Sequence, residues 1–166
     1  MNIKDLKIDE LSLKILAVLQ ENSRMSFSEV GRIVGLSSPA VAERVKKMEN
    51  SGVIKRFSVE ISHEQLGLDM PTFTSINLPG IFGREMAKIL EELKEHPEIL
   101  ECHRITGTND VLVKSVLTSR NHLRQLLDIL AKFGPVSTSI SVESYIDKPA
   151  VDLKELINSN TNKDKN

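Results

Sequence analysis

The chain has 166 residues, of which 40% are hydrophobic and 27% charged, with a formal net charge of −1 at pH 7. That supports a packed core in one domain or two small ones and is an ordinary charge content for a soluble protein. The single cysteine, Cys102, excludes an intrachain disulfide and a multi-cysteine zinc site, and it fits a reducing cytoplasm. No apolar run approaches the roughly 18 residues of a membrane span. The first residues, MNIKDLKIDE, are acidic where a signal peptide needs an apolar core. The expected setting is therefore soluble and intracellular, without a membrane partner. The charge is uneven: residues 1–60 hold 10 Lys/Arg against 8 Asp/Glu, a net of +2, and residues 61–166 hold 12 against 15, a net of −3. Any affinity for a polyanion must then come from local placement of charge and from dimerisation.

Asp9 can cap a first helix running to about Gln20, with Leu11, Ile15, Val18 and Leu19 on one face. A second helix opens at Ser26 and Glu29, the S-x-x-E spacing of a capping box. Phe27, Val30, Ile33 and Val34 give it an apolar face, and Gly35 ends it. Ser37 or Ser38 caps a third helix with Pro39 in its first turn, where no intrahelical partner is needed. Val41, Val45 and Met48 face inward there. Ser38, Glu43, Lys46 and Lys47 face outward, Arg44 lies on a flank, and Gly52 ends the helix. Two short helices joined at Gly35-Leu36-Ser37, the second with a polar and basic outer face, are the pattern of a helix-turn-helix. Residues 53–61, VIKRFSVEI, read as an extended strand, either a wing or a strand between domains. Lys55 and Arg56 on it are placed to meet phosphates.

Residues 62–69 read as a loop or one helical turn and as the domain linker. A strand with the sequence TFTSINL follows, then a Pro79–Gly80 turn and a helix from about Phe82 to His96 with Met86, Ile89, Leu90 and Leu93 inward. Residues 99–106 and 111–117 read as two strands joined by Gly107-Thr108-Asn109-Asp110. A helix over residues 120–133 turns Leu123, Leu126, Leu127 and Leu130 inward and is ended by Gly134 and Pro135. Residues 136–146 alternate as a last strand, with Ser137, Ser139, Ser141, Glu143 and Tyr145 on one side. The order β-α-β-β-α-β predicts an α+β, ferredoxin-like unit: one antiparallel sheet with both helices on one face. Its other face is then polar or covered by a second subunit, which points to a dimer through this domain. The expected organisation is a winged helix-turn-helix over residues 1–61, a linker over 62–69, the βαββαβ domain over 70–150 and a mostly disordered tail over 151–166. Within that tail VDLKELI has the composition for one more helical turn.

Motif residues at both ends carry a resemblance. Asp9, Ile15-Leu16, Leu19, Asn22-Ser23-Arg24, Val34-Gly35-Leu36-Ser37, Val41, Arg44-Val45, Met48-Glu49 and Gly52-Val53-Ile54 form the first set. Glu101-Cys102-His103, leading into the T-G-x-x-D of Thr106-Gly107 and Asp110, forms the second. Over residues 7–147 the chain resembles the Lrp/AsnC, or feast/famine, family of transcription regulators. The resemblance implies dimers that bind double-stranded DNA through the winged helix and assemble further, to octamers. It also implies an ACT-like effector domain that takes a small molecule, usually an amino acid, near Gly107, Thr108 and Asp110. No cofactor, metal or catalytic residue is implied. A glycine admits close approach to the backbone, turn N–H groups receive a carboxylate, and Asp110 receives an ammonium group. Read on its own, the same turn is a hairpin in which Asp110 acts only as a cap. Ser12 departs from the family's second acidic residue, and Ser139 and Ser141 from its Thr-x-Thr pair.

The DNA-facing set expected from the sequence is Ser37, Ser38, Pro39, Glu43, Arg44, Lys46, Lys47, Lys55 and Arg56. Of these, Ser38, Pro39, Glu43 and Lys47 are expected toward base edges, and Arg44, Lys46, Lys55 and Arg56 toward phosphates of a pseudo-palindromic operator. The rival reading is a tetrapyrrole-modifying enzyme of the sirohaem decarboxylase type, which the fold resembles and for which His103 and Arg104 are the candidates. His63, His96 and His122 show no metal-ligand spacing, and the chain has no tryptophan.

Overall fold

A computed structural model of the chain describes residues 8–81, 83–145 and 153. The chain divides into two compact units between Val59 and Glu60, slightly ahead of the expected linker at 62–69.

Helices α1 (Glu10–Glu21), α2 (Phe27–Val34) and α3 (Ser38–Asn50) build the first unit. The Asp9 carboxylate caps α1 by accepting from the Ser12 backbone N–H at 2.9 Å. The Ser26 backbone N–H and hydroxyl both donate to the Glu29 carboxylate, at 2.9 and 2.6 Å, and the Glu29 N–H returns a bond to Ser26 Oγ at 3.3 Å. The capping box is thus closed, and two backbone donors that α2 leaves unpaired are satisfied. Ile15, Leu19, Val30, Val41, Val45 and Met48 form the core. Ile33, expected on the inward face, is 60% exposed. At about 100° per residue, Phe27, Val30, Gly31 and Val34 share one side of α2, and Ile33 falls about a quarter turn away.

The turn between α2 and α3 has two glycine requirements. Gly35 takes φ = 75°, a left-handed conformation that costs a side-chain-bearing residue energy, and its N–H bonds the Gly31 carbonyl. Gly31 is needed for a different reason: a Cβ there would lie 2.4 Å from the Leu36 carbonyl oxygen. Ser37 is the N-cap of α3, accepting from the Ala40 N–H at 3.4 Å. Residues 53–61 are not a strand. The first unit, which holds residues 53–59, contains no strand among its described residues, so the segment has no ladder partner there, and β-propensity alone does not hold an isolated strand. Phe57, Val59 and Ile61 are correspondingly exposed.

In the second unit a 3-10 turn at Glu64–Leu66 precedes β1 (Met70–Ile76), α4 (Gly83–Lys94), β2 (Ile99–Arg104), β3 (Val111–Leu117), α5 (Arg120–Leu130) and β4 (Val136–Ile140). The sheet order is β2-β3-β1-β4, antiparallel throughout, with an irregularity in β2 between Ile99 and Glu101. Two interleaved βαβ halves produce that order, as the β-α-β-β-α-β reading requires. Ile76, Val111, Val113 and Leu117 of the sheet pack on Met86, Ile89 and Leu93 of α4 and on Leu126 and Leu130 of α5. Complete burial of a leucine such as Leu93, Leu126 or Leu130 contributes roughly 1.5–3 kcal/mol. Thr72 and Thr74 are also fully buried on this face; Thr72 pairs with Ser115 at 2.7 Å and Thr74 with Thr138 at 2.8 Å, so no buried hydroxyl there is orphaned.

β4 ends at Ile140 rather than Ile146, although the Ser141 N–H still donates to the Pro71 carbonyl at 2.8 Å. Gly134 was expected only to stop α5. Its actual constraint is close approach, because a Cβ would lie 2.2 Å from the Asn77 carbonyl oxygen. Phe82, Ile146, the VDLKELI turn and the tail, all named in the sequence reading, lie outside the described residues, apart from Leu153.

Candidate functional site

Val41, Val45 and Met48 are buried and fix the orientation of α3. Ser37, Ser38, Pro39, Glu43, Lys46 and Lys47 are exposed, as are Lys55 and Arg56 beyond the helix. Counting about 100° per residue from the buried stripe, Pro39, Glu43 and Lys46 lie on the opposite side of the helix, with Lys47 beside them. Glu43 and Lys47 form an i,i+4 ion pair at 2.7 Å. The Lys47 hydrogen bond, reinforced by its charge, holds the Glu43 carboxyl below its usual value, so it is ionised at neutral pH.

Arg44, expected on a flank, is held within the fold. Its Nη1 donates to both Asp9 oxygens, at 2.6 and 2.5 Å, and to the Ser12 hydroxyl at 3.1 Å. It is a strut between α3 and the start of α1, with Nη1 engaged by Asp9 and the side chain 28% exposed. Burial alone would raise the Asp9 pKa. The Arg44 and Ser12 hydrogen bonds and the guanidinium charge outweigh burial and lower it to about 2. Ser12, which stands where an acidic residue was expected, supplies a neutral acceptor for the same guanidinium. Asp9, Ser12, Leu36, Ala40, Glu43, Arg44, Lys47 and Met48 line a shallow hollow beside α3.

In the second unit the hairpin between β2 and β3 exposes Gly107 and Thr108, with Gly107 at φ = 131°. Asp110 is half-buried and bound to the fold. Its carboxylate accepts from the Leu78 N–H at 2.7 Å, its own N–H donates to the Ile76 carbonyl at 3.0 Å, and its carbonyl accepts from Ile105 at 2.9 Å. Asp110 therefore ties the hairpin to the chain leaving β1, which is the capping role of the plain hairpin reading. One carboxylate oxygen carries the Leu78 bond, and the other has no hydrogen-bond partner among the described residues.

On the outer sheet face Glu101 bridges His103 at 2.9 Å and Lys114 at 3.0 Å. The His103 hydrogen bond first, and then Lys114, lower the Glu101 pKa. Cys102 points the other way, toward the core, and burial pushes its thiol up, away from nucleophilic reactivity. Among the described residues no group of three His, Cys, Asp or Glu is placed to hold a metal ion, and no helix is long and apolar enough to cross a membrane.

Sequence reasoning missed Gly31 and the Asp9–Arg44 pair. A glycine inside an amphipathic helix costs about 1 kcal/mol against alanine, so its presence was itself a sign of close packing. The ion pair joins residues 35 apart and has no local signature.

The AsnC-type helix-turn-helix family model matches residues 8–49, and that of the Lrp/AsnC ligand binding domain matches residues 73–151. The chain is 34% identical over 143 residues to the uncharacterised HTH-type transcriptional regulator YezC of Bacillus subtilis, covering 86% of this chain and 99% of that protein. Its fold is similar to that of a Neisseria meningitidis transcriptional regulator solved as an L-methionine complex, with TM-score 0.82, 25% identity, and 90% and 99% of the two chains covered. It is also similar to LrpC of B. subtilis, with TM-score 0.77, 26% identity, and 85% and 98% covered. These matches leave the enzyme reading without support. The chain belongs to the Lrp/AsnC family and is a DNA-binding transcription regulator with a ligand-binding domain, not an enzyme.

Proposed function

We propose that the protein is a sequence-specific regulator that binds a pseudo-palindromic operator as a cytoplasmic homodimer. The observation that carries this reading is the outer face of α3, where Ser38, Pro39, Glu43, Lys46 and Lys47 are exposed while Val41, Val45 and Met48 are buried. In this assignment Ser38, Pro39, Glu43 and Lys47 face base edges. Lys46, Lys55 and Arg56 face phosphates, and the backbone around Ser37 lies at the helix N-terminus, where anions are favoured. A second copy would cover the outer sheet face, where Phe73 and Leu100 are about 40% exposed, and its two-fold symmetry would be repeated in the operator. Further assembly, to an octamer, builds on that dimer. The test is enrichment of duplexes from a random-sequence pool by the full chain. A two-fold-symmetric consensus is expected, with half-sites about 10 base pairs apart or a multiple of that. A protein that enriches no sequence overturns the reading.

We further propose that a small effector, such as an amino acid, binds at the hairpin. Gly107 and Thr108 would offer backbone and hydroxyl to its carboxylate, and the remaining acceptor capacity of Asp110 would receive its ammonium group. The ligand-binding domain match supports a small-molecule site, and the L-methionine complex of the Neisseria relative supports the class. A thermal-shift screen with single amino acids tests it. A ligand at 100 times its Kd stabilises by about 2.7 kcal/mol, and Thr108→Ala should reduce that gain without changing the ligand-free midpoint. A gain retained in full by Thr108→Ala moves the site elsewhere.

A further inference from the structure

The residue at the centre of the DNA-facing side of α3 is an acid, which is the wrong sign for a surface that approaches phosphates. Glu43 lies almost opposite the stripe of Val41, Val45 and Met48, by the helical count of about 100° per residue. Its side chain is 68% exposed, and that of Lys47 is 73% exposed. A helix seated in the major groove meets phosphates along its flanks and base edges at its centre. A carboxylate at that central position cannot contact phosphate favourably. It is repelled by every duplex, and only a base that donates a hydrogen bond there relieves the repulsion.

Two bases present an exocyclic amino group in the major groove, cytosine through N4 and adenine through N6. Adenine places the N7 acceptor beside its amino group, and that lone pair repels a carboxylate. Cytosine carries a C–H there, and across the pair its guanine presents O6 and N7, which accept from a cation. A carboxylate and an ammonium held 2.7 Å apart on one helix face match the donor and acceptors of a single C·G pair. We infer that Glu43, held by Lys47, is the discriminating residue of the recognition helix: Glu43 accepts from cytosine N4, Lys47 donates to the paired guanine, and the Glu43 charge disfavours duplexes lacking that base pair. This deepens the DNA-binding reading and rests on it. It also gives the ion pair a role that an exposed helical pair does not need for stability.

The test compares the full chain with its Glu43→Gln and Lys47→Gln variants. Both sites are exposed, and circular dichroism checks that the helices are retained. Each protein enriches duplexes from the same random pool, and each is then titrated with one random-sequence duplex at fixed salt. The wild type is expected to select cytosine at one position of each half-site. Glu43→Gln should relax selection at that position alone and bind the random duplex severalfold more tightly, because a repelled charge has been removed. Lys47→Gln should relax the same base pair but bind the random duplex more weakly. If Glu43→Gln keeps the wild-type consensus, or if the position it relaxes selects adenine, the inference is overturned while the DNA-binding reading stands. If the wild type enriches no sequence, both fall.

Discussion

The two units stabilise and expose their residues by different rules. In the helical unit each side chain's direction follows from its position around a helix, so burying Val41, Val45 and Met48 leaves Glu43, Lys46 and Lys47 in solvent. In the sheet unit alternation separates two faces but does not say what each face meets, and the turn residues serve the fold as readily as a ligand. Asp110 shows the difference. Expected as an effector contact, it already bonds the Leu78 N–H, so function there must share a group with structure. A helix surface can be given over to recognition with little cost to the fold, whereas a hairpin of this kind cannot.

The sharpest way to break this comparison is at the two close-approach glycines, one in each unit. Gly134→Ala puts a Cβ 2.2 Å from the Asn77 carbonyl oxygen, and because the clash is with backbone we expect a loss of about 3 kcal/mol in urea denaturation. Gly31→Ala makes a clash of 2.4 Å with Leu36, offset by an alanine's helix preference of about 1 kcal/mol, so a net loss of about 1–2 kcal/mol is expected. Its cost should also appear in DNA affinity, since the displaced turn is the one that orients α3. Comparable losses with DNA binding intact would contradict that coupling.

Within the hairpin, Asp110→Ala strands the Leu78 N–H and should cost about 1–2 kcal/mol, whereas Thr108→Ala should stay within about 0.5 kcal/mol because its side chain is exposed. Equal effects from the two would mean that Asp110 is not the structural tie described.

The smallest expected effect is on acid stability. The Asp9 pKa is depressed to about 2, so the unfolded chain takes up its proton first as pH falls. The Asp9 contribution is complete above its unfolded pKa of about 4 and is lost as pH falls through about 2. Because the Asp9 side chain is half exposed, solvent screening keeps the effect small. Asp9→Asn should lower stability at neutral pH and flatten the acid dependence between about pH 4 and 2. An unchanged acid profile would mean that the Arg44 strut contributes nothing in solution.

Much of the fold was legible because local chemistry and tertiary packing agree. The capping box at Ser26 and Glu29, the left-handed Gly35 and the period of the α4 leucine and isoleucine positions all act within a few residues. Residues 53–61 failed for the opposite reason: their composition favours extension, but a strand needs a neighbour, and none is present among the described residues of that unit. The recognition face was legible wherever a helix period governs it. The contact that Arg44 makes was not, since its partner Asp9 lies at the start of another helix, far off in sequence. Gly134 was noticed as a helix stop, but its close approach to Asn77 depends on a contact across the fold.

The central claim is that α3 and not the second unit meets the DNA. It is tested most directly by fluorescence-anisotropy titration of a labelled duplex at several salt concentrations, comparing wild type, a Lys46→Ala/Lys47→Ala variant, and a control lacking the exposed Lys88 and Lys132 of the second unit. The slope of log affinity against log salt should fall by about one or more for the α3 variant, with weaker binding to every sequence, and should stay at the wild-type value for the control. An unchanged slope for the α3 variant, or a loss confined to the control, would contradict the account.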